Sequence, residues 1–103
     1  MPVQKRYLKN NKVCKVIFRV SPEIGKNYKK ACVIGSFNNW DYNSHRMKKL
    51  VKDGSFSIIV NLDANKEYEF KYLLDDKVWL NDEEADGQVF SEFGNSQNSV
   101  IKL

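Results

Sequence analysis

From residue 13 to residue 20 the chain alternates with period two. Cys14, Val16, Phe18 and Val20 fall on one side, and Val13, Lys15, Ile17 and Arg19 on the other. This is the mark of a strand with one buried face. The same period returns at residues 55–62, where Phe56, Ile58, Val60 and Leu62 share a side, and at residues 68–74, where Tyr68, Phe70, Tyr72 and Leu74 do. Shorter strand-like runs cover residues 30–36, 47–51, 77–80 and 99–103. Between them stand turn formers: Ser21-Pro22 and Gly25, Asp53-Gly54, residues 63–66, and Asp75-Asp76. Asp-Gly between two strand-like runs is a strong hairpin signal. No stretch of ten or more residues carries a helical stripe. Residues 1–12 show no sustained periodicity and read as a basic arm or short edge segment, while residues 81–97 read as one long acidic loop.

Seven or so short strands in a chain of 103 residues predict an all-β fold, an immunoglobulin-like antiparallel β-sandwich. A chain of this length can close one core and not two, so residues 13–103 are expected to form a single domain behind the arm. The paired cysteines and core tryptophan of an antibody domain are missing. Cys14 and Cys32 both lie in apolar strand patterns and are expected as small core residues, with a disulfide between neighbouring strands as the alternative.

Charge adds an asymmetry that the net +4 conceals. Residues 1–30 hold nine Lys or Arg against Glu23 alone, whereas residues 31–103 hold eight basic and twelve acidic residues. A basic segment can lie on nucleic acid, but there is no RNA-recognition motif and no zinc-ligand spacing, so nucleic acid is not an expected partner. No apolar run has the length of a signal-peptide core or a membrane span, which predicts a cytoplasmic protein.

Candidate chemistry is sparse. Asp82, Glu83, Glu84 and Asp86 supply carboxylates of the type a glycosidase needs, but crowded together on a presumed exposed loop they read as solvated charge. His45 is the lone histidine, in a polar loop with no nucleophile assembled around it, and reads as a solvated side chain. The five glycines are dispersed, so no phosphate loop exists, and the acidic stretch lacks calcium-hand spacing. Neither a catalytic centre nor a metal or other cofactor is expected. What remains is a pair of indoles. Trp40 ends the turn Gly35-Ser36-Phe37-Asn38-Asn39-Trp40, and Trp79 follows the turn at Asp75-Asp76. Lys71 occupies the opposite face to Tyr68, Phe70 and Tyr72, so it projects outward. Each tryptophan can be a packing residue or a displayed ring. An exposed indole can take the C–H face of a sugar while nearby amides and an ammonium bond its hydroxyls.

The turn ending in Trp40, the run Tyr68-Glu69-Phe70-Lys71-Tyr72 with Asp75 and Trp79, and the late Phe93-Gly94 and Asn98-Ser99-Val100 resemble, in order and spacing, the early-set glycogen-binding module. That module precedes the catalytic domain in isoamylases and glycogen branching enzymes, and occurs in the beta subunit of AMP-activated protein kinase. The likeness runs over about residues 13–103. It implies non-catalytic binding of α-1,4-linked glucans such as glycogen, starch or maltooligosaccharides. It also implies that Trp40 and Trp79 stack on sugar, that Lys71 bonds hydroxyls, and that Phe93, Asn95, Gln97 and Asn98 complete the site. Phe93, Asn95 and Gln97 replace a family leucine, threonine and asparagine, and the turn before Trp79 is one residue longer than in the kinase form. A chain that stops at Leu103 resembles the short stand-alone bacterial members. Two other readings are a protein-interaction domain docking on a glucan-metabolising enzyme, and a small glucan hydrolase using Asp82 or Glu84.

Overall fold

The structure is a computed structural model that describes residues 3–82, 84–90 and 97–103. Among the described residues nine strands form two antiparallel sheets. They are β1 (Gln4–Tyr7), β2 (Val13–Val20), β3 (Ala31–Gly35), β4 (Lys48–Lys49), β5 (Phe56–Asp63), β6 (Glu67–Leu74), β7 (Val78–Leu80), β8 (Gly87–Phe90) and β9 (Gln97–Lys102). One sheet runs β1-β2-β5-β4; the other runs β3-β6-β9-β8, with β7 also paired to β6. Packed face to face, they make the immunoglobulin-like sandwich that the alternation predicts. The only α-helix among the described residues is the single turn Pro22–Gly25.

The inward sides of the three long strands supply the core. Cys14, Val16, Phe18 and Val20 of β2 and Phe56, Val60 and Leu62 of β5 meet Phe70, Tyr72 and Leu74 of β6. Phe18 sits at its centre, edge-on to Phe70 at 5.0 Å and stacked on Phe37 at 5.6 Å between ring centroids.

Residues 4–7 take the edge-segment form of the two readings of the N terminus, as a strand at the sheet edge in register with β2, Gln4 opposite Ile17 and Tyr7 opposite Cys14. Other elements differ from the sequence reading. The stretch 81–97 is not one loop, because β8 lies within it and pairs with β9. Its neighbour Asp82 is fully buried, and so is not the solvated loop carboxylate expected. Cys14 and Cys32 are both free thiols. Cys14 belongs to the core, as expected, while Cys32 packs with Ile34 and Leu73 in a separate buried cluster. These last three alternate with inward-facing Val33, Tyr72 and Leu74, so they lie on the outer face of the β3-β6-β9-β8 sheet. That outer face carries the candidate site.

Candidate functional site

Each residue of the turn from Gly35 to Trp40 has an identifiable task. Gly35 ends β3 opposite Phe70, and a Cβ built on it would fall 2.3 Å from the Glu69 carbonyl oxygen. Only glycine lets the two backbones come this close. Ser36 Oγ accepts the Glu69 amide at 3.1 Å, tying the turn to β6. Phe37 anchors in the core against Phe18. The Asn38 carboxamide accepts the Gly35 amide at 3.0 Å and donates to the Val33 carbonyl at 3.2 Å and to His45 Nδ1 at 2.9 Å. His45 is thus a half-buried acceptor that clamps the turn, in place of the solvated loop histidine expected. Asn39 and Trp40 both take positive φ, 55° and 59°. This costs a bulky residue of order 1 kcal/mol and lifts the indole out of the strand line. The Trp40 amide still donates to the Gly35 carbonyl at 2.9 Å.

Beyond Trp40 the loop folds back over the outer face. Asp41 holds it, accepting the Asn43 amide at 2.9 Å and the Ser44 hydroxyl at 2.8 Å. These two bonds, the amide foremost, keep its carboxyl below the ordinary aspartate range. Tyr42 then meets Trp79 edge to face, with ring centroids 5.6 Å apart at 74°. This is the T-shaped geometry that aromatic quadrupoles favour.

Trp79 reaches the same face by register. It stands opposite Leu73 in the β6–β7 hairpin, and directly opposed residues share a face. The connecting turn has Asp75 and Asp76 at φ 51° and 60°, with the Lys77 amide donating to the Leu74 carbonyl at 3.0 Å. Two positive φ values match the right-handed twist of a tight hairpin. The Asp75 carboxylate accepts the amides of Lys29 and Lys30, both at 2.8 Å, and so fixes the hairpin tip to the approach to β3. Those bonds, Lys30 first, lower its pKa.

Lys71 is opposite Ile34, on the outer face as alternation predicted. Continuing the β6–β9 register one step beyond the Phe70–Ser99 pair brings Asn98 level with Lys71. Asn98 is buried, and its Nδ2 donates to Glu69 Oε1 at 3.0 Å. Gln97 is exposed, and its carbonyl accepts Asn81 Nδ2 at 2.8 Å. Phe93 and Asn95 lie outside the described residues. Trp40, Trp79 and Tyr42 are 37, 43 and 55% exposed, which marks them as displayed rings and not core. Tyr42 is an addition to the sequence reading. Its signal was an aromatic in an otherwise polar loop two residues after Trp40, but only the folded chain brings it against Trp79.

Next to this face lies a second polar cluster the sequence did not suggest. The Asp82 amide donates to Ser99 Oγ at 2.8 Å, and Ser99 in turn donates to Asn81 Oδ1 at 3.0 Å. The Tyr72 hydroxyl donates to Asp82 Oδ2 at 3.2 Å, and the Glu84 amide to Oδ1 at 3.0 Å. Burial pushes the Asp82 carboxyl above its ordinary value, with the Glu84 and Tyr72 hydrogen bonds partly offsetting it. Tyr72 is likewise raised, by burial and then by the adjacent carboxylate. No buried side-chain polar atom among the described residues lacks a partner. Buried and hydrogen-bonded in this way, Asp82 joins β7 to β9 and has no surface from which to attack a glycosidic bond. Among the described residues no group of three or more potential metal ligands converges, and no helix is long and apolar enough to cross a membrane.

A family model described as the glycogen recognition site of AMP-activated protein kinase matches residues 25–102. No curated protein matches the chain in sequence. Among solved structures, the enterobactin esterase FES from Shigella flexneri, in the presence of 2,3-di-hydroxy-N-benzoyl-serine, aligns with a TM-score of 0.77 at 10% identity. That alignment covers 99% of this chain and 32% of the esterase chain. The same esterase in the presence of enterobactin gives 0.76 at 12% identity over 99 and 33%. An enterochelin esterase from Shigella flexneri gives 0.77 at 11% over 98 and 32%. The chain therefore spans about a third of these esterases. At such identities the likeness is one of fold.

Proposed function

The chain belongs to the glycogen-recognition module family represented in AMP-activated protein kinase, and from that premise we propose that it is a non-catalytic α-glucan-binding module. Its ligand is a run of α-1,4-linked glucose, as in glycogen, starch or maltooligosaccharides. Trp40 and Trp79 are the stacking rings, and Tyr42 braces Trp79 at its edge. Lys71 donates to sugar hydroxyls from the same face, with Asn98 beside it, while Gln97, which alternation turns to the other face of its strand, enters the proposed site by family position. Phe93 and Asn95 belong to the proposed site by family position. The observation that carries this reading is the exposure of two indoles, one on a loop held by Asn38 and one on a hairpin held by Asp75. Had either ring been buried, a protein-docking role would have gained ground. The proposed partners are the glucan and, through it, a glucan-metabolising enzyme. The proposed domain comprises residues 13–103, and the proposed location is the cytoplasm.

Stacking worth about 1 kcal/mol per ring beyond contact area gives weak affinity, roughly micromolar to millimolar. Titration with maltoheptaose, followed by tryptophan fluorescence, is expected to saturate in that range. Trp40→Ala and Trp79→Ala are each expected to weaken binding about tenfold, while circular dichroism reports an intact fold. A titration without saturation, together with unretarded migration in a glycogen-containing native gel, rejects the proposal.

A further inference from the structure

At the edge of β3 away from β6 the chain changes sheets. Arg46 bridges to Cys32 of β3, whereas Lys48 and Lys49 pair with Ser57 and Phe56 of β5 in the opposite sheet. The crossing leaves an open cleft of about 170 Å³ at the seam. Among the described residues Lys29, Lys30, Arg46 and Lys49 line it, with Asp76 as the one carboxylate. Their commitments differ. Lys49 Nζ is anchored, donating to the Tyr28 carbonyl at 2.6 Å and the Gly25 carbonyl at 3.3 Å. Lys30 meets Asp76 at 3.5 Å in a pair that is about two-thirds exposed on both sides, and such pairs hold weakly. The side chains of Arg46 and Lys29 form no hydrogen bond or close ion pair among the described residues, although Lys29 lies near enough to the Asp75 carboxylate to help lower its pKa.

We propose that this cleft binds a phosphate-sized oxyanion, either free or carried as a monoester on a sugar chain. Four cations against the single carboxylate of Asp76 leave an excess of positive charge around one small opening, and an anion seated between them offsets it. The guanidinium of Arg46 offers paired N–H donors matched to two phosphate oxygens, and the ammonium of Lys30, at the approach to β3, offers a third donor from the same side of the seam. The volume equals the share of about five or six waters. That suits one tetrahedral oxyanion and falls below the roughly 300 Å³ at which pockets begin to enclose larger ligands.

The position of the cleft gives the esterified form its rationale, which rests on the glucan reading above. Arg46, Cys32, Leu73 and Trp79 form one row on the outer face, running from the isolated bridge at Arg46 across β3, β6 and β7. Three strand spacings separate the backbones of Arg46 and Trp79, about 14 Å. A glucan held at Trp79 therefore lies within reach of the cationic edge, about 14 Å away across the sheet.

The test is titration with inorganic phosphate against chloride at matched ionic strength, followed by amide and arginine side-chain NMR shifts. A saturable one-site response is expected, centred on Ala31, Cys32 and Arg46. Arg46→Gln is expected to weaken it about tenfold or more, and Lys30→Gln to weaken it less. Lys15→Gln, on the opposite sheet, should leave it unchanged. Shifts that never saturate, or an unchanged response in folded Arg46→Gln, overturn the proposal. Maltoheptaose with and without a phosphate monoester then separates the sources. Tighter binding of the ester, lost in Arg46→Gln, assigns the esterified form; equal binding beside a saturable phosphate response assigns the free ion. Plain maltoheptaose reports the glucan reading by itself, so failure of one reading leaves the other measurable.

Discussion

Tyr72 and Asp82 show how much one buried hydrogen bond can decide at the scale of a residue. The carboxyl of Asp82 is raised by burial, so its contribution to stability is fully present below the unfolded aspartate value near 3.8. That contribution is lost as pH rises through the folded value. Tyr72→Phe removes the hydroxyl that partly offsets the burial and raises the folded value further. We expect it to cost about 1–3 kcal/mol near neutral pH and clearly less below the unfolded aspartate value of 3.8, where the raised carboxyl is mainly in its acid form and needs the donor less. Urea unfolding at the two pH values checks this, and an equal loss at both would refute it. Tyr72 was legible as a core residue from its place in the alternation of β6. Asp82 was not, because an aspartate beside two glutamates reads as solvated until Ser99 and Tyr72 are brought around it from distant strands. Trp40 and Trp79 were legible as candidates, but their exposure was not, since an indole fits a core as readily as a surface.

At the scale of elements, the turn from Gly35 to Trp40 is built on one close approach. A methyl group at Gly35 would meet the Glu69 carbonyl oxygen at 2.3 Å, and that oxygen belongs to backbone already fixed in the sheet. Gly35→Ala must therefore push β3 and β6 apart at the point where the loop departs. The expected cost is about 2 kcal/mol or more, seen as a lower urea midpoint, with weaker maltoheptaose binding because the loop holding Trp40 moves. A variant with wild-type midpoint and affinity would show that the approach is not needed. The long strands β2, β5 and β6 could be read from period two alone, since each places one side in the core. β1 and β8 could not. β1 is mostly exposed and β8 contains the exposed Val89 and Phe90, so neither presents the apolar side that makes alternation visible. Both exist because a neighbouring strand supplies their hydrogen-bond partners.

For the whole molecule, the two proposed sites should differ in their response to salt. Stacking and hydroxyl contacts are short-ranged and mostly neutral, whereas a dianion among cations is screened. Maltoheptaose affinity is expected to change less than about twofold between low and roughly 0.5 M sodium chloride, and fluorescence titration at each salt concentration measures it. A steep fall would mean that Lys71 and its charged neighbours, not the indoles, dominate glucan binding. The sequence by itself determined the fold class, the core sides of three strands, the outward projection of Lys71 and the turns that carry Trp40 and Trp79. It could do so because period two and turn chemistry are local, set by residues a few positions apart. Only the tertiary structure decided that Tyr42 braces Trp79, that Asn98 is bound to Glu69, that Asp82 is interior, and that Arg46 shares a row with Trp79. Each of these depends on register between strands far apart in the chain. Register is set by the cooperative fit of both sheets around Phe18, and no single segment encodes it.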